Sequence, residues 1–308
     1  MTEQMIQKIT GRTFSCVLFD LGSTLWYRDA ESVAELKRHG NQQALHLLRQ
    51  SIEDLCLPGQ DDVEAGKLLR KAVSRQFHDE IERDASIEPE GADIVQKVLH
   101  KTCNVVGSRD LCEAVFDALD IRIRHSRRLF SDALSTLHEM KKRSIQLGIV
   151  SNRHWGGKLF SEDLKPLGIT NYIGLDTTMI SADLRIRKPS PEIYKQALKA
   201  CKAHHETTMM VGDSLVADIA GAQHQNIFAV WKPKRYAEVS AYLAEKEGIT
   251  VAEYNLQQLH LLKKRGKVEQ HHLIHAHQKG DDDLTHFLNG SIKPQLIIQD
   301  LKELLAWV

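Results

Sequence analysis

Polar residues that directly follow short apolar runs constrain the fold of this 308-residue chain more than any other feature. The runs and the residues that follow them are Cys16 to Phe19 before Asp20, Leu147 to Val150 before Ser151 and Asn152, and Met209 to Val211 before Gly212 and Asp213. Short continuous apolar runs are typical of buried parallel strands. The carboxyl ends of such strands form the ligand-binding edge of an open sheet. We therefore expect these polar residues to converge.

Beyond Arg128 the pattern alternates between helix and strand, which predicts right-handed βαβ units on a parallel sheet. Strands are expected near 145–151, 171–176, 207–212 and 227–231, helices near 132–142, 157–167 and 215–225, and a last strand and helix near 295–306. Another helix is expected to open at Lys188-Pro189-Ser190-Pro191-Glu192, with Ser190 as N-cap and Pro191 at the first helical position. The expected fold class is α/β, with a doubly wound parallel sheet.

The interval between the first strand, near 14–20, and the next buried strand is far too long for one crossover helix. Apolar residues between 29 and 127 recur at helical spacing, with Pro and Gly turns between them. We predict a helical domain over 29–127, inserted into a core formed by 1–28 and 128–308. Within that core, 233–291 is expected to be an irregular helical insertion.

The composition limits the classes of partner. The chain carries 41 basic and 41 acidic residues, so bulk charge gives no reason to expect nucleic acid or an anionic membrane. No apolar run approaches the ~20 residues of a membrane helix, and the amino terminus lacks the apolar stretch of a secretory signal. We expect a soluble, cytoplasmic protein with reduced cysteines, because its five cysteines include no C-x-x-C pair. The sequence does not indicate an oligomeric state.

The converging residue types suit phosphoryl transfer. A carboxylate such as Asp20 can attack phosphorus, and Asp213 with Asp218 would add the oxygen ligands that Mg²⁺ prefers. Lys188 would supply a fixed positive charge beside the phosphoryl oxygens. Ser151 and Asn152 offer a hydroxyl and an amide for phosphate binding, while Asp218 also suits the first turn of a helix.

Four segments in this order resemble the haloacid dehalogenase superfamily of aspartate-nucleophile hydrolases. They are Phe19-Asp20-Leu21-Gly22-Ser23-Thr24-Leu25, Val150-Ser151-Asn152, Arg187-Lys188-Pro189, and Val211-Gly212-Asp213-Ser214 followed by Asp218. The resemblance implies an aspartyl-phosphate on Asp20, Lys188 as its catalytic partner, and Mg²⁺ held by Asp20, Asp213, the Gly22 carbonyl and Asp218. It also implies that the helical insertion is a cap over the site, with Trp26 to Arg28 and Arg153 to Trp155 at the rim.

One position departs from the family pattern. Phosphatases of this superfamily usually read D-x-D-x-T, with the second Asp as general acid and base, whereas this chain has Gly22 there. General acid–base catalysis contributes ~10²–10⁴-fold, so slower turnover is expected, least for good leaving groups. Asp29 and His154 are the candidate replacements.

Three functions follow from these residues. The first is a Mg²⁺-dependent phosphatase that acts on a small phosphorylated metabolite, with preference for activated esters or acyl phosphates. The second is a binding or regulatory protein that keeps the phosphate pocket with little turnover. The third is a haloacid dehalogenase, but Gly212-Asp213-Ser214 argues against it because that subgroup usually has Ser-Asn there.

Two further motifs carry weaker hypotheses. His271 and His275 would share a helix face and invite a zinc site, but no cysteine is nearby and a solvated polar helix is the preferred interpretation. The basic run at 263–267 is interpreted as a solvated turn.

Overall fold

The computed structural model describes residues 11–265 and 283–308. Within them, a six-stranded parallel sheet has the order β5-β4-β1-β6-β7-β8, and β2 pairs with β3 as a separate antiparallel ribbon. The strands are β1 Cys16–Phe19, β2 Trp26–Arg28, β3 Arg127–Leu129, β4 Gln146–Ser151, β5 Thr178–Ile180, β6 Thr208–Gly212, β7 Phe228–Trp231 and β8 Leu296–Ile297. The predicted α/β fold with a doubly wound parallel sheet is confirmed.

Strand β1 lies in the interior of the sheet, and later strands of the chain pair on both of its sides. Cys16 aligns with Gln146 of β4 on one side and with Thr208 of β6 on the other. Val17 and Phe19 point to one face and Cys16 and Leu18 to the other, and the two sets belong to separate buried cores. The change of direction beside β1 is the place where such sheets bind ligands.

Helices cover both faces of the sheet, and five more lie in the insertion between β2 and β3. Those of the insertion are Ala30–Ser51, Asp62–Arg83, Gly91–Cys103, Arg109–Ala118 and Ile123–Ser126. The others are Ala133–Lys142, Gly157–Leu164, Ser181–Leu184, Pro191–Ala200, Gly221–His224, Tyr236–Tyr242, Val251–Arg265 and Asp283–Leu288, with π-type turns at Leu215–Ala220 and Leu243–Glu247. Short 3₁₀ segments are Ile169–Asn171, Leu175–Thr177, His205–Thr207 and Leu301–Ala306.

The helical insertion, residues 30–126, has an apolar core of its own. Leu48, Val73 and Phe77 pack there with Leu99 and Val115. The amphipathic pattern of each helix therefore faces a neighbouring helix, as the sequence predicts. The β2–β3 ribbon joins this bundle to the sheet at its two ends.

The structure differs from expectation at the edge of the sheet. The strand expected near 171–176 lies at Thr178–Ile180, and 3₁₀ turns occupy the residues before it. Ile173 is buried there from a turn, because a short apolar run satisfies a core equally well in either conformation. The closing segment near 301–306 is 3₁₀ rather than α-helical.

Other predictions concern residues only partly described. The 233–291 stretch contains the helices Tyr236–Tyr242, Val251–Arg265 and Asp283–Leu288. The histidine cluster at 271–277 and the last two residues of the basic run, Gly266 and Lys267, lie outside the described residues. Lys263 to Arg265 belong to the helix Val251–Arg265, so the turn predicted for this part of the run is wrong, because lysine and arginine are good helix formers. Lys263 and Lys264 are exposed, which agrees with the predicted contact with solvent. Among the residues that are described, no helix combines the length and apolar character needed to cross a membrane.

Candidate active site

Asp20 lies immediately after β1, at the carboxyl edge of the sheet. Its backbone N–H donates to the Val211 carbonyl of β6 at 2.9 Å, which fixes the turn that follows the strand. Its Oδ1 accepts a hydrogen bond from Ser151 Oγ at 3.0 Å and another from Lys188 Nζ at 2.7 Å. Residues predicted from three separate motifs therefore meet at one carboxylate oxygen.

Lys188 is the most constrained cation of the site. Its buried Nζ donates to Asp20 Oδ1, to Asp218 Oδ1 at 2.6 Å and to the Val150 carbonyl at 2.7 Å. Burial lowers the pKa of Lys188, but Asp20 and Asp218 outweigh burial, so the pKa is raised. The ammonium group therefore remains charged and its geometry is fixed.

Asn152 holds the backbone of the Lys188 loop. Its amide nitrogen donates to the Lys188 carbonyl at 2.9 Å, and its amide oxygen accepts from the Lys188 N–H at 2.8 Å. Both polar atoms of this side chain are thus used to position Lys188. A direct phosphate contact by Asn152, and by Ser151, stays a prediction.

Three buried carboxylates converge beside Lys188. Asp20, Asp213 and Asp218 each offer an oxygen, and these oxygens lie within 4.8 Å of one another. Burial and the charge of Asp20 raise the pKa of Asp213 to about 6, although Lys234 Nζ lies 2.5 Å from Asp213 Oδ2 and opposes the shift. Burial raises the pKa of Asp218 to about 7 against the opposing charge of Lys188. The cluster therefore has an excess of negative charge.

This donor set fits a hard divalent cation. Mg²⁺ binds carboxylate and carbonyl oxygens, and a cation would offset the burial and the mutual repulsion that raise the two carboxylate pKa values. Gly22 lines the same cavity as these carboxylates. The role of its carbonyl as a ligand remains an expectation from the family resemblance.

The structure gives no steric reason for glycine at position 22. A Cβ placed there would meet no atom within 4 Å, and the backbone does not adopt the left-handed conformation that favours glycine. A side chain could therefore begin at this position without a clash at its Cβ. The backbone does not require glycine here, so the lack of a carboxylate at position 22 is a difference in the chemistry of the site.

The rim residues predicted after the second motif contact the helical insertion. The His154 ring stacks on Phe77 with centroids 4.2 Å apart, and Trp155 stacks on Phe116 at 4.6 Å. Trp155 Nε1 also donates to the Phe116 carbonyl at 3.1 Å. A cavity of about 900 Å³ is lined both by residues at the sheet edge and by residues of the insertion, such as Val73 and Phe77. This placement is consistent with the predicted cap.

Some of the residues after the first motif line the cavity, and others lie outside it in or beside the β2–β3 ribbon. Trp26 and Arg28 line the cavity, whereas Tyr27 is exposed and packs on Phe130. Asp29 pairs with Arg128 at 2.9 Å and does not line the cavity. Of the two candidate replacements for the acid–base group, only His154 reaches the cavity.

Glu88 is a site residue that the sequence interpretation missed. It is fully buried and accepts hydrogen bonds from Ser181 Oγ at 2.5 Å and from Arg187, and it pairs with His154 Nδ1 at 2.6 Å. Burial raises the pKa of Glu88, but the bond with His154 and the charge of Arg187 outweigh it and lower the pKa. Glu88 ties the insertion to the loops that carry the second and third motifs. Its sequence context showed only a Pro-Gly turn.

A match to the family described as haloacid dehalogenase-like hydrolase covers residues 68–232, more than half of the chain. The chain belongs to the haloacid dehalogenase-like hydrolase family. The crystal structure of a 2-haloacid dehalogenase from Pseudomonas syringae pv. Tomato DC3000 has a TM-score of 0.50 to this chain at 20% identity, covering 82% of this chain and 100% of that one. At this identity the likeness concerns the fold alone.

Curated relatives of this family member are phosphatases. A glyceraldehyde 3-phosphate phosphatase from Pyrococcus furiosus is 32% identical over 126 residues, which are 39% of this chain and 49% of that protein. A phosphoserine phosphatase from Thermus thermophilus is 32% identical over 124 residues, 40% of this chain and 46% of that protein. The match thus spans about half the length of each relative.

Proposed function

We propose that this protein is a Mg²⁺-dependent phosphatase that hydrolyses a small phosphorylated metabolite through an aspartyl-phosphate on Asp20. The observation that carries the proposal is the meeting of Asp20, Lys188 and Ser151 with Asp213 and Asp218 at the carboxyl edge of the sheet. The phosphatase relatives support the reaction class. Their substrates differ from one another, so they do not select one.

Asp20 would act through its second oxygen. Oδ1 accepts from Ser151 and Lys188, while Oδ2 has no hydrogen-bond partner in the described part of the chain. In the first step, Oδ2 forms a bond to phosphorus, and the bond from phosphorus to the leaving oxygen breaks. In the second step, water attacks the phosphorus, which releases inorganic phosphate and restores the carboxylate.

The surrounding charges would stabilise the phosphoryl group as it transfers. Lys188 supplies a fixed positive charge beside Asp20. Asp20, Asp213 and the Gly22 carbonyl would hold Mg²⁺, which would neutralise charge on the phosphoryl oxygens. Asp218 would orient the ligands of that ion. Ser151 fixes the orientation of the nucleophile through its hydrogen bond to Oδ1.

The leaving group must take a proton without help from residue 22. Activated esters and acyl phosphates need this proton least, so we propose that they are turned over best. His154 is the proposed replacement because it lines the cavity and Glu88 fixes its Nδ1. The second candidate function, a binding protein that keeps the phosphate pocket, rests on the absence of a carboxylate at Gly22.

The test is hydrolysis of an aryl phosphate and of acetyl phosphate by the purified protein, with Mg²⁺ and with chelator. Turnover that needs Mg²⁺ is expected, with a loss of at least ~10³-fold in Asp20→Asn because the nucleophile is removed. The matched control is Asp29→Asn, which changes an aspartate outside the cavity and is expected to keep activity. Absence of turnover in wild-type protein that binds Mg²⁺ by calorimetry would favour the binding protein.

A further inference from the structure

A second group of charged residues lines the same cavity as the carboxylates. Arg28, Arg127 and Arg153, which we call the arginine cluster, all face this cavity. Arg28 and Arg127 are directly opposite each other in the β2–β3 ribbon. In the described part of the chain, none of the three has a carboxylate within ion-pair distance.

Neutral groups hold the two inner arginines in place. Arg127 Nη1 donates to the Ser126 carbonyl at 3.1 Å and to Ser126 Oγ at 2.9 Å. Arg153 Nε donates to the Trp155 carbonyl at 3.2 Å, and its guanidinium carbon lies 5.0 Å from the centroid of the Phe160 ring. These contacts fix the position of each guanidinium group without neutralising its charge.

The arrangement is electrostatically unfavourable without an anion. Like charges directly opposite in an antiparallel pair are destabilising. Burial, followed by the positive charges of Arg28 and Arg153, lowers the pKa of Arg127 to about 10, and Asp120 opposes this change. Asp120 is the one carboxylate of the cavity lining outside the Asp20, Asp213 and Asp218 cluster. The charges of Asp163, Asp20 and Asp183, in addition to Asp120, also act on Arg153 and oppose the effect of burial on its pKa. None of these carboxylates forms an ion pair with the arginine cluster in the described part of the chain, so its three guanidinium groups remain without a salt bridge.

The two lysines that line the cavity near the sheet edge already form salt bridges with carboxylates. Lys188 pairs with Asp20 and Asp218, and Lys234 pairs with Asp213. The cavity thus has two parts of different charge. One part has carboxylates and lysines for the phosphoryl group and its metal, and the other has the arginine cluster, which forms no salt bridge within the described residues.

We propose that the substrate carries a second anionic group, a carboxylate or a second phosphate, which binds the arginine cluster while the transferred phosphoryl group lies at Asp20. This inference rests on the proposed phosphatase function. The guanidinium group matches carboxylate and phosphate oxygens with paired hydrogen bonds. A cavity of about 900 Å³ has room for a small molecule with two such groups.

The kinetic test compares three substrates: an aryl phosphate with no second anion, phosphoglycolate with a carboxylate, and a sugar bisphosphate. In Arg127→Gln and in Arg153→Gln, kcat/KM is expected to fall about 10- to 100-fold for whichever doubly anionic substrate is preferred. The aryl phosphate is expected to change less than about twofold, because it does not use the cluster. Equal losses on all substrates, or no loss on any, would overturn the inference.

The matched control is Arg128→Gln. Arg128 is the next residue on the same strand, but it pairs with Asp29 and does not line the cavity. Its kcat/KM values are expected to stay at wild-type levels. Arg127→Lys, which keeps the charge, is expected to retain part of the selectivity that Arg127→Gln loses, and thermal unfolding checks that all variants are folded.

A binding measurement separates this inference from the proposed reaction. Calorimetry with phosphoglycolate and with the sugar bisphosphate, on Asp20→Asn protein with and without Arg127→Gln, needs no turnover. An affinity lower by about 10- to 100-fold when Arg127 is replaced would support the second anion site even if no substrate is hydrolysed. Binding that does not depend on Arg127 would contradict it, whether or not the protein is a phosphatase.

Discussion

The Asp213→Asn variant is expected to be more stable than wild-type protein when no metal is present. Asp213 is 8% exposed, and burial with the charge of Asp20 raises its pKa to about 6 from a reference value of 3.8. A carboxylate that holds its proton more tightly in the folded state destabilises that state once it ionises. Asparagine keeps the shape of the side chain but carries no charge.

The sign and size of the effect follow from the two pKa values. Below pH ~4 Asp213 is protonated in both states, so it changes nothing. Between the unfolded pKa of 3.8 and the folded value of about 6, the unfolded state loses its proton first, so stability falls as pH rises. At neutral pH this corresponds to about 3 kcal/mol. This figure already includes the opposing ion pair with Lys234, which lowers the pKa of Asp213. For a chain of this length it corresponds to a Tm increase of about 5 °C.

The assay is thermal unfolding in chelator at pH 4 and at pH 7.5, repeated with MgCl₂ at pH 7.5. The variant is expected to have the higher Tm in chelator at pH 7.5, little difference at pH 4, and no gain from Mg²⁺, whereas wild-type protein gains. Asp110→Asn, at an exposed helical position, is the control and is expected to show no stabilisation. A lower Tm for Asp213→Asn in chelator at pH 7.5 would refute the reasoning, as would an equal response to Mg²⁺.

Three other perturbations test separate parts of the site. Gly22→Asp is expected to raise kcat at least ~10²-fold over Gly22→Ala in steady-state kinetics, because the space is open and the new carboxylate supplies acid–base catalysis; equal rates would mean that proton transfer does not limit turnover. Glu88→Gln is expected to lower the free energy of unfolding by about 3 kcal/mol in denaturant titrations, because it leaves Arg187 and His154 without a buried anion. Since the pKa of Glu88 is lowered in the folded state from its ordinary value of 4.5, this difference should shrink as pH falls below about 4.5, and a pH-independent difference would contradict the charge argument. Gly212→Ala would place a Cβ 2.2 Å from Asp218 Cγ, so calorimetry should show weaker Mg²⁺ binding; unchanged affinity would indicate that Asp218 does not contribute.

The sequence predicts those parts of the fold that depend on residues close together in the chain. The apolar runs of β1, β4 and β6 are buried and carry Asp20, Ser151 and Asp213 at their ends, as a parallel sheet requires. The β2–β3 ribbon was not predicted, because three-residue strands show no measurable periodicity. Ribbon pairing joins residues about a hundred positions apart, such as Arg28 and Arg127.

The contacts of Glu88 show why the sequence did not predict its role in joining the insertion to the loops of the second and third motifs. Its partners His154 and Arg187 are 66 and 99 positions away, and a glutamate before a proline has no local signature of burial. Burial of a carboxylate is tolerated only where partners compensate its charge. Such compensation depends on the tertiary structure, so spacing along the chain does not reveal it.

The same distinction separates the chemistry of the site from its selectivity. Asp20, Ser151 and Asp213 lie at strand ends and are positioned by the sheet itself, while Asn152, which follows Ser151, holds the loop of Lys188. The arginine cluster combines residues from both strands of the ribbon with Arg153. Its proposed role as an anion site rests on the lack of a carboxylate at ion-pair distance in the described part of the chain. A reaction class can therefore be inferred from local motifs, whereas the charge of the substrate follows only from the assembled cavity. For this family member, a second anionic group on the substrate is the property that we propose from the structure and could not predict from the sequence.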